Sequence, residues 1–399
     1  MTTSTLSTPT LPQTTGEELI EPSWETQRHA RTLLLTLPAP RGQIVDRNGL
    51  PLAQTRVAQN LALNFPTPLT MSDSEATQFA RQNLEVAKTL FPGRQFAQTD
   101  EFLLRFYQHR GMLPLILAED LRADEIELVK GRLPPGLRLL PSYVRYYPNG
   151  ALAGHVVGYC SKTGGVPDRP VQNNDTIWPD FEGREGLEQT FNAQLTGRPG
   201  QLNIVMDRTG AKVTERVSIP PQPGANVVTS LDRDLQALCE SVLEKRAKRG
   251  ALVFIQPSTG DILALASWPR IDPNVFTPSI SPEVYRLLEE DPDVPLLPRA
   301  YRSAYPPGST FKVFVGIAAL ESGAVDPSTT IDCPASITVG RTIFRNWKKS
   351  GAGYLTLRGA LEQSCNTWFY QAGIKMGAAP IIEYAQRLGL GRRTGIPLR

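Results

Sequence analysis

The sequence predicts a mixed α+β protein: an extended, β-rich first half with a helical insertion near residues 70–140, then a sheet with helices packed on it. Three observations carry this. Short apolar runs separated by turn residues begin at about residue 33 and return near 153–206. Capped stretches of helical character lie between them. Beyond residue 225 a helix is followed at once by two apolar strands, the pattern of a helix packed on a sheet. At 399 residues the chain has room for two or three cores.

The first residues, "MTTSTLSTPTLPQTT", lack the basic start and apolar middle of a signal peptide, and residues 1–32 read as a disordered tail. "LLLTLPAP" and "RGQIVDRNGLPLA" read as strands, the latter turning at Asn48-Gly49. "SDSE" opens a helix with Ser72 and Glu75 as a capping box, running through Phe79, Val86 and Leu90. "DEFLLRFYQHRG" and "ADEIELVKGRLPPG" read as two more helices, the second stopped by its double proline. "AGHVVGYC" and "QLNIVMDRTG" read as strands, Leu202, Ile204 and Met206 alternating in the second. The proline-rich "IPPQPGANV" marks a boundary between a domain over 33–220 and one over 221–399. In the latter, "DRDLQALCESVLEKRAKRG" places Leu235, Leu238, Cys239, Val242 and Leu243 on one helical face, capped by Asp232 and closed by Gly250. "ALVFIQPSTGDILALAS" reads as a hairpin.

Composition narrows the function. With 42 Lys and Arg against 39 Asp and Glu, the formal charge is +3 and no basic stripe stands out, so nucleic acid is not an expected partner. The four cysteines, at 160, 239, 333 and 365, match no zinc or redox spacing. The three histidines form no metal or triad motif, so no metal and no cofactor are expected, and a nucleophile would need an activator other than histidine. The longest early apolar run, "LLLTLPA", is far short of the ~20 residues that span a bilayer.

"YPPGSTFKVFVGIAALESG" breaks at Pro306-Pro307-Gly308 and then opens an apolar helix, apolar nearly all round and so expected to be buried. Ser309 and Lys312, three apart, share a helical face. Burial drives a lysine toward the neutral amine, from an ordinary pKa of about 10.4, and the amine can take a serine's proton. The helix start offers N–H groups to an oxyanion. "LTLRGALEQSCNTWFYQAGIKMG" reads as helix, break at Ser364-Cys365-Asn366, helix. Each motif alone has a structural alternative: Ser309 as a cap, Ser364 to Asn366 as a turn, Cys365 as a buried filler.

SxxK followed by SxN resembles the serine acyl-transferases that include penicillin-binding proteins and serine β-lactamases. "RGQIVDRNGLPLA", "GREGLEQTFNAQLTGRPG" and "GALVFIQPSTGDILALAS" resemble class B penicillin-binding proteins. "YPPGSTFK" and "FRNWKKSGAG" are most similar to the elongation type, penicillin-binding protein 2. The resemblance implies an N-terminal pedestal followed by a serine β-lactamase-like transpeptidase domain. It implies Ser309 as acylated nucleophile, Lys312 as proton acceptor, Ser364 as proton relay and Asn366 as the amide holding the substrate backbone. The implied partners are peptidoglycan stem peptides, β-lactam antibiotics, a membrane glycan polymerase and other elongation proteins. The implied place is the cell envelope, at the outer face of the cytoplasmic membrane.

The family pattern adds a KTG or KSG strand after SxN. Lys162-Thr163-Gly164 precedes Ser309 and reads as a bend; Lys349-Ser350-Gly351 falls between the two motifs and reads as a loop. None follows Asn366, so the transpeptidase domain is expected to be incomplete, and no membrane anchor is visible before Arg41. Three readings stand: a D,D-transpeptidase of cell-wall elongation, a non-catalytic partner-binding fragment lacking the KTG strand, or a β-lactamase or β-lactam sensor. The pedestal-like first 220 residues count against the last.

Overall fold

The first half is built outward from one tight turn. Asp46 Oδ1 accepts the N–H groups of Asn48 and Leu50, each at 2.8 Å, and Gly49 adopts φ +82°, where a Cβ would be strained. The turn joins Ile44–Val45 to the long strand Pro51–Leu63. Leu115–Ala118 and Leu137–Tyr146 pair antiparallel with that strand, and Val227–Val228 adds in parallel beside Ile44–Val45. A second sheet orders Arg31–Leu37, Gly200–Met206 and Lys212–Ile219. In it Leu33 faces Ile204 and Leu35 faces Leu202, all four buried.

The computed structural model describes residues 31–398. One compact unit runs to Ser303 and takes in the chain from Pro397; the other is Ala304–Ile396. The α+β architecture and the β-rich first half are as expected. The tail expected over 1–32 lies outside the described residues as far as residue 30; Arg31 and Thr32 belong to a strand.

The expected helical insertion is present as Asp73–Leu90, Asp100–Arg110 and Ala123–Val129. Ser72 closes the predicted capping box with Glu75. Ala80, Leu84 and Phe106 from the first two helices pack on Leu61, Leu63 and Phe65 at the end of the long strand. The third helix stops at Val129, before its prolines, where Gly131 turns the chain at φ +69°.

Three expectations are corrected. "AGHVVGYC" is not a strand: Gly154–Val157 forms one helical turn, and pairing begins only at Cys160–Lys162. Tertiary contacts override the β-branched run. Glu240 Oε1 accepts the Ala153 N–H at 2.8 Å, and both valines pack among Ile44, Leu52 and Leu265. Gly250 does not close the preceding helix, which runs Arg233–Arg246 under an Asp232 cap; Gly250 opens the strand Gly250–Ile255. On that helix Cys239 and Leu243 are buried but Leu238 and Val242 are exposed.

The predicted hairpin is present, Gly250–Ile255 against Ile262–Trp268. Ala264, Leu265 and Ala266 are buried, while Val253, Phe254 and Ile255 are exposed. The proline-rich segment is tied down by hydrogen bonds: Gln222 and Arg198 exchange backbone bonds at 2.9 Å, and the Gly224 N–H donates to Pro40 O at 3.0 Å.

At the centre of this unit lies a buried charge cluster. Glu188 is fully enclosed and accepts from Arg145 Nε at 2.5 Å and Arg41 Nη2 at 2.9 Å. Burial alone would raise the Glu188 carboxyl; the two guanidiniums outweigh it and hold the pKa below the ordinary value. The cluster joins "RGQIVDRNG" to "GREGLEQT", two of the stretches that carry the resemblance.

In the second unit, helices Lys312–Glu321, Leu357–Glu362, Asn366–Met376 and Ala378–Arg387 accompany two small hairpin-like pairs. Its core gathers Val315, Ala319, Cys333, Ala360, Cys365, Trp368 and Phe369. The Lys312 helix is buried on one side only, since Val313 is exposed, a departure from the all-round burial its composition suggests.

Candidate active site

Ser309 sits in a single 3-10 turn, Gly308–Phe311, that leads into the helix beginning at Lys312. Gly308 takes φ +54°, a backbone conformation that would strain an L side chain, as the chain leaves the Pro306-Pro307 pair and enters the turn. Ser309 and Lys312 are one turn apart, as their spacing predicts. Lys312 is buried, its Nζ over the Phe369 ring at 5.7 Å from the centroid, while Ser309 faces solvent.

The second motif comes from the break between two helices. Leu357–Glu362 ends as the Cys365 N–H donates to Ala360 O at 2.9 Å. Ser364 then adopts φ +49°, a left-handed value that few non-glycine residues take. Asn366 starts the next helix, which is pinned from below: the Trp368 indole N–H donates to Leu355 O and Thr367 Oγ1 to Pro334 O, both at 3.0 Å.

These elements bring all four expected residues together. Lys312 Nζ donates to Ser364 O at 2.7 Å, to Ser364 Oγ at 2.9 Å and to Asn366 Oδ1 at 2.6 Å. Ser364 Oγ donates in turn to Ser309 Oγ at 3.0 Å. Among the described residues Lys312 makes no direct hydrogen bond to Ser309; the Ser364 hydroxyl stands between them. Burial lowers the Lys312 pKa from its ordinary value, the direction a base requires. The Asn366 amide is oriented from both ends, its Nδ2 donating to Arg345 O at 3.3 Å. Cys365 is fully buried, as a filler would be.

Neither KTG-like triplet joins this group. Lys162 ends a strand and pairs with Glu119, after which Thr163 leaves by donating to Asp180 O and Gly164 turns the chain. Lys349 and Ser350 are exposed and Gly351 is buried against Cys333, in a turn closed by the Gly351 N–H on Lys348 O at 3.1 Å, the loop expected of them. Asn346 lies within "FRNWKKSGAG", a stretch that carries the resemblance but for which the sequence implied no role; it is buried between exposed Arg345 and Trp347 beside the Ser364 turn. No periodicity or motif spacing links it to Ser364.

Two family models match the chain: the penicillin-binding protein dimerisation domain over 36–229 and the penicillin-binding protein transpeptidase domain over 250–399. The peptidoglycan D,D-transpeptidase MrdA of Escherichia coli K12 is 31% identical over 383 residues, covering 92% of this chain and 58% of that relative. The chain is a homologue of the elongation-type class B penicillin-binding proteins. The MrdA of Acinetobacter baumannii is 32% identical, over 92% of this chain and 54% of its own length. A penicillin-binding protein 2 from Helicobacter pylori, solved in complex with MreC, superposes with a TM-score of 0.73 at 28% identity, over 92% of this chain and 67% of that one. The chain thus spans less than two thirds of the curated relatives it matches.

Proposed function

We propose that this chain carries the acyl-transfer chemistry of a peptidoglycan D,D-transpeptidase of cell-wall elongation. Ser309 is the nucleophile, Lys312 the proton acceptor, Ser364 the relay and Asn366 the amide that holds the substrate backbone. The observation that carries the reading is the hydrogen-bonded series Lys312 Nζ, Ser364 Oγ, Ser309 Oγ, at 2.9 and 3.0 Å. With Lys312 neutral, the Ser364 hydroxyl passes its proton to Nζ as it receives the proton of Ser309. Ser309 Oγ then bonds to the carbonyl carbon of the penultimate D-Ala of a stem peptide. Collapse of the tetrahedral adduct breaks the C–N bond, and the proton returns along the series to the departing D-Ala amine. An amine of a neighbouring strand reverses these steps and takes the acyl group. A β-lactam acylates the same oxygen.

A second reading keeps the fold and drops the turnover: a module that binds an elongation partner. It is supported by the likeness to the penicillin-binding protein 2 solved with MreC, which extends over 92% of this chain. MreC-like proteins and a glycan polymerase are the partners of either reading, and the cell envelope is its place. Among the described residues no helix is long and apolar enough to cross a membrane.

Fluorescent penicillin with intact-mass and peptide mapping separates the two. An adduct on Ser309 that disappears in Ser309→Ala supports acyl transfer; folded protein with no adduct leaves the partner-binding module. Rapid hydrolysis of the β-lactam would favour a β-lactamase instead.

A further inference from the structure

The left-handed Ser364 needs an external hold. A non-glycine residue at φ +49° is strained by about 1–2 kcal/mol, and it persists where the surroundings over-determine it. The helix that follows has no cap of its own, because Cys365 occupies the N-cap place without a side-chain capping bond. The first N–H groups of a helix have no partner within it.

Asn346 supplies what is missing, from a different part of the chain. Its Oδ1 accepts the Asn366 N–H at 3.0 Å and, from its other side, the Trp347 N–H at 3.0 Å. Its Nδ2 points to Cys365 Sγ at 3.5 Å, and its own N–H donates to Ala335 O at 2.9 Å. Trp347 next to it donates its indole N–H to Gln363 O at 3.0 Å. The pair therefore brackets Gln363 to Asn366 at both ends. Asn346 is 7% exposed in a stretch where its neighbours are open to solvent. All three acceptors of Lys312 belong to Ser364 and Asn366, so the position of this turn decides whether the lysine has partners at all.

We propose that Asn346 is a positioning residue for acylation of Ser309: its side-chain amide caps the Asn366 helix from outside and holds Ser364 and Asn366 in register with Lys312. This rests on the acyl-transfer reading above.

The test compares Asn346→Ala and Asn346→Asp with wild type, Asp keeping the acceptor oxygen. Stopped-flow labelling with fluorescent penicillin separates the acylation rate from the initial binding constant. The expected result for Asn346→Ala is a loss of roughly 10–100-fold in the acylation rate with binding changed less than about threefold. Asn346→Asp should recover most of the rate. A loss that falls on binding, or no rescue by Asp, overturns the proposal. Hydrogen exchange of the Asn366 amide gives a readout independent of activity: protected in wild type and Asn346→Asp, unprotected in Asn346→Ala. If wild type forms no adduct, the acyl-transfer reading fails by itself. Exchange at Asn366 then supports the hold on the turn if protection is lost in Asn346→Ala, and overturns it if protection is retained.

Discussion

Lys312 meets three acceptors with three N–H donors, which suits the ammonium form, yet burial pulls its pKa down. The lysine is thus poised between a satisfied cation and a usable base. Because the folded-state pKa is depressed, the neutral amine becomes available at lower pH than for a free lysine. The acylation rate should therefore rise with pH along a limb centred below the ordinary lysine range. Lys312→Met should lower the rate by about 10²–10⁴-fold and remove that limb. A pH–rate profile of penicillin acylation checks both, and a limb in the ordinary lysine range would show that burial is not tuning the base. The candidate group of Ser309, Lys312, Ser364 and Asn366 was legible because it is written in two short local spacings, SxxK and SxN, which the fold brings together. Asn346 was not, since its contacts come from the tertiary approach of a loop and leave no periodic trace.

Elements were legible in proportion to how locally they are determined. The helix Asp73–Leu90 announces itself through Ser72 and Glu75, whose reciprocal bonds need only four consecutive residues. Replacing Ser72 with Ala should cost about 1 kcal/mol, read as a lowered midpoint in urea with an unchanged slope. The hairpin 250–268 was equally plain from its two apolar runs about a Gly260 turn. "AGHVVGYC" misled because valines favour strands only when a ladder is offered. Here Glu240, 87 residues on, accepts the Ala153 N–H and the run closes into a helical turn. The helix Lys312–Glu321 shows the opposite limit, for its composition declared burial but not which side would be covered.

For the whole molecule, the first unit depends on a charge cluster that no local pattern encodes. Arg41, Arg145 and Glu188 are each nearly or fully enclosed, so none can be solvated if its partner is removed. Glu188→Gln keeps the shape and deletes the charge, leaving two buried cations. The expected cost is about 3–5 kcal/mol, measured by chemical denaturation of the purified chain. A cost below 1 kcal/mol would mean that water reaches the guanidiniums.

The same cluster sets an order of events at the ribosome. Glu188 follows Arg41 by 147 residues and Arg145 by 43. At typical elongation rates, Arg41 is synthesised about 7–30 s before the carboxylate that will neutralise it. Until then the turn at Asn48-Gly49 and the long strand can form, but their charged neighbour has to stay in water. The buried site around Arg41 is therefore expected to close only after Glu188 has been made, and protease protection of stalled nascent chains ending before and after Glu188 checks it.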